Sequence, residues 1–293
     1  MAEPIRGPIG AVVITHNRRE LLRECLAALF AQTRPPDAVL VVDNASTDGT
    51  RAMLAEEFPG VDVLALASNE GGAGGFHEGM RRGLELGFAW LWVMDDDTIP
   101  EPTALERLLA APERLDGLPE PVLLASRVVW TDGRLHPLNP PGLRFGDMDL
   151  LVRASGRGLL PLRWNTFPST LFKREALERH GLPLKHFFIW SDDIEHTLRL
   201  LRDDVGYVVT DSVAKHKTAT AAWPWEGGDR FYYAVRNSIY ILRGNSLRRD
   251  EKRNHAIMSL GQVLRYLRVN RLRPHSLRLV ARGLRDGVTG PGS

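Results

Sequence analysis

The first hundred residues alternate between two hydrophobic patterns. Short, continuous apolar runs such as IGAVVIT (residues 9–15) and AVLVVD (residues 38–43) predict strands that are buried on both faces. Between such runs, segments such as RRELLRECLAALFAQ place apolar residues three and four positions apart, which is the spacing of one helix face. The alternation predicts an α/β fold whose central sheet is mostly parallel and covered by helices.

Polar residues follow each of the first four predicted strands at the point where the strand ends. In parallel sheets the carboxyl ends of the strands share one edge, and ligands bind beyond that edge. We therefore expect one binding site to collect the four polar strand tips, which are Thr15-His16-Asn17, Asp43-Asn44, Ser68-Asn69 and Asp95-Asp96-Asp97.

The fourth strand ends in three consecutive carboxylates, in LWVMDDDTIP (residues 91–100). Aspartate is common in solvated turns, so this can be an ordinary acidic turn. Two carboxylates held on the same side also form a site for a hard divalent cation. Alternation along an extended chain directs Asp95 and Asp97 to one side and Asp96 to the other. The spacing alone leaves both interpretations open.

Three further motifs have a structural and a chemical interpretation. NEGGAGGF (residues 69–76) is either a flexible loop or a phosphate site at a helix start. In FIWSDDIEH, the acids either complement a helix dipole or provide a desolvated carboxylate that acts as a general base. His216, in VAKHKT, is either structural or a third metal ligand.

The rest of the chain divides into an irregular middle and a helical end. Residues 120–185 are rich in proline, and HPLNPPG (residues 136–142) is predicted to be an exposed loop. After AAWPWEGGDR (residues 221–230) the pattern stays helical, which places a boundary near residue 225.

Charge separates the same two regions. The whole chain has a formal net charge of +2, but residues 243–293 carry +9 and residues 1–242 carry −7. One predicted helix face collects Ile257, Leu260, Leu264 and Leu267, with Arg253, Arg265 and Arg268 elsewhere on the helix. The helix either packs on the preceding domain or lies on an anionic membrane surface. No recognised nucleic-acid motif accompanies the basic residues, so no nucleic-acid partner is expected.

Targeting signals are absent from the pattern. The first ten residues lack the apolar core of a signal peptide, and no apolar run approaches the ~20 residues of a membrane span. The single cysteine, Cys25, is compatible with a reducing compartment. We therefore expect a cytoplasmic protein, either free or peripheral on the inner face of the plasma membrane.

In their order along the chain, VVITHNR, VVDNASTDGT, NEGGAGGF, MDDDTIP, WSDDIE and KHKT resemble the motifs of an inverting family 2 glycosyltransferase with the GT-A fold. The resemblance covers residues 9–240. It is strongest to bacterial galactofuranosyltransferases, with rhamnosyltransferases next, through NEGGAGGF, WSDDIE and FYYAVRNSIY. It implies a catalytic domain over residues 1–225, with a nucleotide-sugar half (1–100) and an acceptor half (101–225), followed by a basic helical region (226–293).

The resemblance also implies roles for individual residues. Asp95, Asp97 and His216 would hold Mn²⁺ or Mg²⁺, and Asp193 would be the catalytic base. The nucleotide-sugar residues would be Thr15, Asn17, Arg18, Asp43, Asn69, Gly71, Gly72 and Asp96. The acceptor residues would be Asp192, Glu195, Trp164, Trp190 and Trp223, with core packing as an equal alternative for each tryptophan.

The implied reaction is metal-dependent, inverting transfer of a sugar onto a glycan or lipid-linked glycan in cell-envelope polysaccharide synthesis. The favoured donor is UDP-galactofuranose, and the alternative is a rhamnosyltransferase that uses a dTDP-sugar. A sugar-nucleotide-binding module without activity is the non-enzyme alternative, but the presence of Asp95, Asp97 and Asp193 argues against it. The chain begins almost at its first predicted strand, so we expect single addition of a sugar rather than polymerisation.

Overall fold

The computed structural model of the protein describes residues 5–219 and 228–291. Over residues 5–100, the predicted nucleotide-sugar half, strands and helices alternate as the sequence predicts. The elements are β1 (Ile9–Thr15), α1 (Arg19–Phe30), β2 (Ala38–Asp43), α2 (Thr50–Glu57), β3 (Asp62–Ala65), α3 (Gly71–Glu85), β4 (Trp90–Asp95) and β5 (Thr98–Pro100).

The acceptor half has shorter and less regular elements. They are α4 (Ala104–Leu109), β6 (Leu123–Val129), β7 (Gly142–Leu143), α5 (Met148–Ser155), β8 (Leu159–Trp164), β9 (Thr170–Lys173), α6 (Arg174–His180), α7 (Asp192–Leu200) and β10 (Gly206–His216). Three helices follow: α8 (Phe231–Arg243), α9 (Arg249–Val269) and α10 (Pro274–Thr289).

All ten strands form one mixed sheet. Its order is β3-β2-β1-β4-β9-β6-β10-β8-β7, and β5 pairs with β10. The first four strands run parallel, as their continuous apolar sequences predict, and so do β6 and β10. Antiparallel pairing of β9 with both β4 and β6 joins the halves, which the sequence pattern did not predict. The polar tips of β1, β2 and β4 therefore lie side by side at one edge.

Helix α3 lies unusually close to the parallel strands because glycines face them. A Cβ atom on Gly75 would lie 2.5 Å from Ile14 Cγ2, and one on Gly79 would lie 2.6 Å from Val12 Cγ1. Gly83 meets Leu91 in the same way. The glycines recur every four residues, which is one helix face. Part of the glycine-rich sequence therefore lies in a helix that packs closely on the sheet, and that part does not form a flexible loop.

The C-terminal helices pack on the catalytic domain through α8. Tyr240 and Ile241 of α8 share an apolar cluster with Phe187 and Leu198 of the acceptor half. The predicted boundary near residue 225 and the predicted Trp223 lie outside the described residues. Within the described ranges, none of the helices combines the length and apolar composition that a membrane crossing needs.

The exposed face of α9 differs from the predicted one in one member. Ile257, Leu260 and Leu264 are exposed, but Leu267 packs against the cluster around Phe231 and Tyr266. Arg253 precedes Leu260 by seven positions and Arg268 follows Ile257 by eleven, so both lie on the exposed apolar face and not elsewhere on the helix.

Candidate active site

The three predicted metal ligands lie together at the sheet edge. β5 pairs with the end of β10 so that His216 lies opposite Thr98, one residue after the acidic turn. The backbone N–H of Lys217 donates to the carbonyl of Asp97 at 2.8 Å and fixes this register. One ligand atom from each of Asp95, Asp97 and His216 lies within 4.8 Å of the other two.

Asp97 is the centre of this group. His216 Nε2 lies 3.0 Å from Asp97 Oδ1, and Arg18 Nη1 donates to Asp97 Oδ2 at 2.7 Å. Burial raises the pKa of Asp97, but the hydrogen bond and charge of His216, together with Arg18, lower it more, so its net pKa is below the ordinary value. Among the described residues no ion pair of this kind is seen for Asp95, and its burial and the charge of Asp97 raise its pKa to about 7.

Asp96 has different hydrogen-bond partners from the other two carboxylates, apart from Arg18, which it shares with Asp97. It is 3% exposed and accepts a hydrogen bond from Thr15 Oγ1 at 2.8 Å. Arg18 Nη1 lies 3.3 Å from Asp96 Oδ1, so this arginine joins Asp96 to Asp97. Thr15, Arg18 and Asp96, all predicted for the nucleotide sugar, therefore belong to one hydrogen-bonded group beside the metal ligands.

His216 is oriented by residues that the sequence analysis did not identify. Its Nδ1 donates to Asn139 Oδ1 at 2.8 Å, and Asn139 Nδ2 donates to Thr166 Oγ1 at 2.9 Å. The imidazole of His136 packs on that of His216, with ring centres 4.9 Å apart. The second hydrogen bond fixes the orientation of the Asn139 amide, so Nε2 of His216 is the nitrogen left to face Asp97.

The prediction that HPLNPPG is an exposed loop is wrong for these two residues. His136 is fully buried and Asn139 is 8% exposed. Burial and the charge of His216 lower the pKa of His136 to about 4, so it is a neutral packing partner. The only sequence signal for this support was a histidine and an asparagine within a proline-rich stretch. It could not be interpreted locally, because His216 is 77 residues away from Asn139.

The tips of β1 and β2 are tied to each other. Asn17 accepts a hydrogen bond from the Thr47 backbone N–H at 2.7 Å, and its own backbone N–H donates to Ser46 Oγ at 3.0 Å. Asp43 is fully buried and paired with Arg51. Asn17 and Asp43, both predicted to bind the nucleotide, thus lie at the same edge of the sheet. Their side chains also hold the segment that follows β2 in place.

The start of α3 brings the remaining nucleotide-site predictions to the same edge. Asn69 Oδ1 accepts from the backbone N–H of Gly71 at 2.8 Å. Gly71 has a φ of 72°, and a Cβ there would lie 2.0 Å from the carbonyl oxygen of Phe188, so only glycine fits. Gly72 has open space around it. Backbone geometry therefore requires glycine at position 71, in addition to the predicted proximity of Gly71 to the sugar phosphates.

Asp192 and Asp193 occupy the first turn of α7. Burial raises the pKa of Asp193 to about 6, although the N–H of Ile194 donates to its carboxylate at 2.7 Å. Burial and the charge of Asp193 raise the pKa of Asp192 well above its ordinary value. Asp95 also raises the pKa of Asp192, and His216 lowers that of Asp193. The acids of α7 therefore lie near enough to Asp95 and His216 for those charges to affect their pKa values.

The other predicted acceptor residues are not all brought to this site. Glu195 is 1% exposed, and both of its oxygens pair with Arg199, on the opposite helix face from Asp193. Trp164 lies over Gly142, where a Cβ would meet its Nε1 at 2.1 Å, in keeping with the packing alternative. Trp190 lies two residues before Asp192, and Trp223 is outside the described residues.

The donor set is suited to a hard divalent cation. Carboxylate oxygens and one imidazole nitrogen are ligands that Mn²⁺ accepts, and carboxylates also suit Mg²⁺. The three groups lie close enough to share one ion, and His216 already has its distal nitrogen fixed by Asn139. Among the described residues, the Asp95–Asp97–His216 group is therefore a possible metal site on its chemistry as well as its geometry.

Comparison with known proteins agrees with this geometry. A family model described as Glycosyl transferase family 2 matches residues 11–180, more than half of the chain. The chain belongs to this family. Galactofuranosyltransferase GlfT1 of Mycolicibacterium smegmatis is 32% identical over 256 residues, which cover 82% of this chain and 84% of that protein.

Two further proteins are similar to the chain, one in sequence and one in fold. The N-acetylglucosaminyl-diphospho-decaprenol L-rhamnosyltransferase of Mycobacterium tuberculosis is 27% identical over 182 residues, covering 59% of this chain and 56% of that protein. The structure of TarS 1–349 from S. aureus in complex with UDP-GlcNAc has a TM-score of 0.62 at 15% identity, covering 96% of this chain and 80% of that one. The predicted family, GT-A fold and glycosyltransferase class are confirmed.

Proposed function

We propose that this family 2 glycosyltransferase is metal-dependent and inverting, and that it transfers galactofuranose from UDP-galactofuranose to a glycan or lipid-linked glycan of the cell envelope. The observation that carries the proposal is the Asp95–Asp97–His216 group at the sheet edge, with the buried Asp192–Asp193 pair near enough that His216 lowers the pKa of Asp193 and Asp95 raises that of Asp192. Such a site offers a base on one side and a cation position on the other.

Galactofuranose is preferred over rhamnose because the likeness to the galactofuranosyltransferase is both higher and longer than that to the rhamnosyltransferase. The fold neighbour solved with UDP-GlcNAc supports a UDP-sugar donor. Asp43, Asn17 and the start of α3 would bind the nucleotide at the edge that they line.

The chemistry needs few groups. Asp193 would accept the proton of the acceptor hydroxyl while that oxygen attacks the anomeric carbon, and the nucleoside diphosphate would leave from the opposite face, which inverts the centre. Asp95, Asp97 and His216 would hold Mn²⁺ or Mg²⁺, which supplies electrostatic stabilisation of the departing diphosphate. Arg18, with its side chain 48% exposed, is positioned to contribute positive charge at the same edge.

The C-terminal helices are proposed to hold the enzyme on an anionic membrane surface, where a lipid-linked acceptor would be found. On α9, Ile257, Leu260 and Leu264 are each about 60% exposed. On α10, Leu277, Leu284 and Val288 are exposed at intervals of seven and four residues and so share one face. The net charge of +9 over residues 243–293 complements anionic lipid headgroups.

A donor screen and one substitution test the catalytic proposal. With Mn²⁺ and a lipid-linked glycan acceptor, release of nucleoside diphosphate is expected from UDP-galactofuranose and not from dTDP-rhamnose. Asp193→Asn should abolish transfer, because it removes the base, while the affinity for UDP stays close to that of the wild type. Substantial transfer by Asp193→Asn would refute the base assignment, and turnover of dTDP-rhamnose alone would favour the rhamnosyltransferase.

A further inference from the structure

The loop of residues 186–191, which immediately precedes Asp192 and Asp193, is held by its backbone carbonyls. Those of residues 186, 187, 189 and 190 accept hydrogen bonds from two neighbouring side chains of α8, Arg236 and Asn237, at 2.7–3.1 Å. The carbonyl of Phe188 accepts one from the backbone N–H of Ala73 in α3, at 3.1 Å. Five consecutive carbonyls are thus fixed from outside the loop.

The loop needs these restraints because its backbone is strained. Phe188, Trp190 and Ser191 have φ angles of 64°, 67° and 64°, which residues other than glycine rarely adopt. Such a conformation costs free energy and persists only where the surrounding structure determines it. Ser191 makes no side-chain cap to α7, so the helix start depends on the loop conformation.

Asn237 is the central donor of this arrangement. It is fully buried, and its Nδ2 lies 2.7 Å from the carbonyl oxygen of Trp190, 3.0 Å from that of Ile189 and 3.1 Å from that of Phe187. Its Oδ1 accepts from Arg236 Nε at 2.9 Å, which fixes the orientation of the amide.

Arg236 is itself held in place. Its guanidinium lies 4.9–5.5 Å from the ring centres of three tyrosines of α8, and its Nη2 reaches the carbonyls of His186 and Phe187. The two side chains therefore form one rigid unit that transmits the position of α8 to the loop.

We propose that Asn237 is a positioning residue for the catalytic base: by holding the 186–191 loop, it sets where Asp193 stands relative to the donor edge. The proposal rests on Asp193 being the base. Ala73 holds the same loop from the nucleotide-sugar half, so the loop lies between the helix that begins at the donor edge and α8. The helical C-terminal region thereby contributes to the site through α8, besides carrying basic charge.

A packing role is the alternative, and the isosteric variant separates the two. Asn237→Asp keeps the shape of the side chain but replaces the Nδ2 donor by an oxygen, which repels the three carbonyls. The matched control is Val235→Ala, two positions earlier on α8. Val235 is buried against Phe231 and Tyr266. Its truncation removes apolar packing between α8 and α10 without removing a hydrogen bond to the loop.

The experiment measures kcat, the Kd of UDP and backbone hydrogen exchange in the full chain. For Asn237→Asp we expect kcat to fall about 100-fold, since small misplacements of a reacting group have effects of this size, while the Kd of UDP is nearly unchanged. Peptides over residues 184–195 should exchange faster. Val235→Ala should lower Tm, yet leave kcat and the exchange of these peptides close to those of the wild type.

Two results would overturn the proposal: unchanged kcat in Asn237→Asp, or unchanged exchange of residues 184–195 in that variant. An equal loss of kcat in Val235→Ala would also contradict it, because a general packing defect would then suffice. If the wild type transferred no sugar from any donor, the proposed function would fail, and the exchange arm would still decide whether Asn237 holds the loop.

Discussion

Several buried carboxylates at the active site are held at a cost in stability. Asp95, Asp96 and Asp193 all have a raised pKa, and in each the largest cause is burial away from water. Cations offset only part of this cost: Arg18 is shared between Asp96 and Asp97, and His216 is hydrogen-bonded to Asp97. A fold selected for stability alone would remove such charges, so their burial points to chemistry at this edge.

For Asp193 the cost is measurable without any substrate. Its pKa is about 6 in the folded protein and ordinary in the unfolded chain, so the folded state binds more protons between those two values. Stability therefore falls as pH rises through this window, and Asp193→Asn removes the penalty. We expect the Tm of Asp193→Asn to exceed that of the wild type at pH 8 and the difference to shrink at pH 5.

The control for this comparison is Asp229→Asn, since Asp229 is exposed and its side chain contacts only His275 among the described residues. Its effect on Tm should be small at both pH values. A lower Tm for Asp193→Asn than for the wild type at pH 8 would show that hydrogen bonds to the charged form outweigh desolvation.

A second prediction at the residue scale concerns Asn139, which orients His216. Asn139→Ala removes the acceptor of the Nδ1–H of His216 and leaves the imidazole free to rotate. Loss of such a partner typically weakens metal binding about 10- to 100-fold. Isothermal titration with Mn²⁺ alone should show this loss, whereas the exposed Asn254→Ala should bind Mn²⁺ as the wild type does. Equal affinities in all three proteins would contradict the orienting role.

The sequence predicted the candidate site residues at the ends of strands, but it did not predict the residues that orient them. Asp95, Asp97 and His216 each follow or end an apolar run, so the pattern of a single segment marks them. Asn139 lies in a proline-rich loop and Asn237 lies in the middle of a helix. At both positions no local hydrophobic pattern marks the residue. Their importance arises from contacts with residues 77 and about 50 positions away, which only the fold creates.

At the scale of elements, the close packing of α3 on the sheet gives a prediction about stability. A methyl group on Gly79 would approach Val12 Cγ1 to 2.6 Å and Val42 Cγ2 to 2.8 Å, and neither strand can move away. Gly79→Ala should therefore destabilise the protein by about 1–3 kcal/mol, as overpacking does. Urea denaturation followed by circular dichroism measures this difference.

Gly261 provides the matched control for that change. It lies within α9, and a Cβ there would meet nothing within 4 Å. Because alanine is a better helix former than glycine, Gly261→Ala should be neutral or stabilise the helix by up to about 1 kcal/mol. Similar destabilisation by both substitutions would mean that α3 does not depend on its glycine face.

The predicted elements were most accurate where neighbours in the chain are neighbours in the sheet. The parallel strands β1, β2 and β3 follow from repeated strand–helix units, and such units leave few arrangements open. The insertion of β9 between β4 and β6, and the irregularity in β10 between Val209 and Val213, join distant parts of the chain. Nothing in the local sequence of these strands specifies their partners.

At the scale of the whole molecule, the separation of charge supports the proposed membrane-binding role of the C-terminal helices. The exposed apolar residues of α9 and α10 alternate with arginines, as in Arg278 beside Leu277 and Arg285 beside Leu284. Apolar groups and cations side by side suit the boundary between lipid headgroups and acyl chains. A face that only met solvent would not need the leucines.

We therefore expect the protein to co-sediment with vesicles containing phosphatidylserine or phosphatidylglycerol at low salt, and much less with phosphatidylcholine vesicles. Each basic residue near the surface contributes about 1 kcal/mol, so binding should weaken strongly as salt is raised. Leu284→Glu with Val288→Glu should abolish binding, because it removes apolar contact and adds negative charge on one face of α10.

The matched control is Leu135→Glu, an equally apolar and exposed residue of the acceptor half, outside the basic region. It changes the net charge in the same direction but should leave vesicle binding almost intact. If the wild type failed to sediment with anionic vesicles, the helices would serve only to hold the 186–191 loop. If the α10 variant bound as well as the wild type, the attraction would be purely electrostatic and the exposed leucines would need another partner.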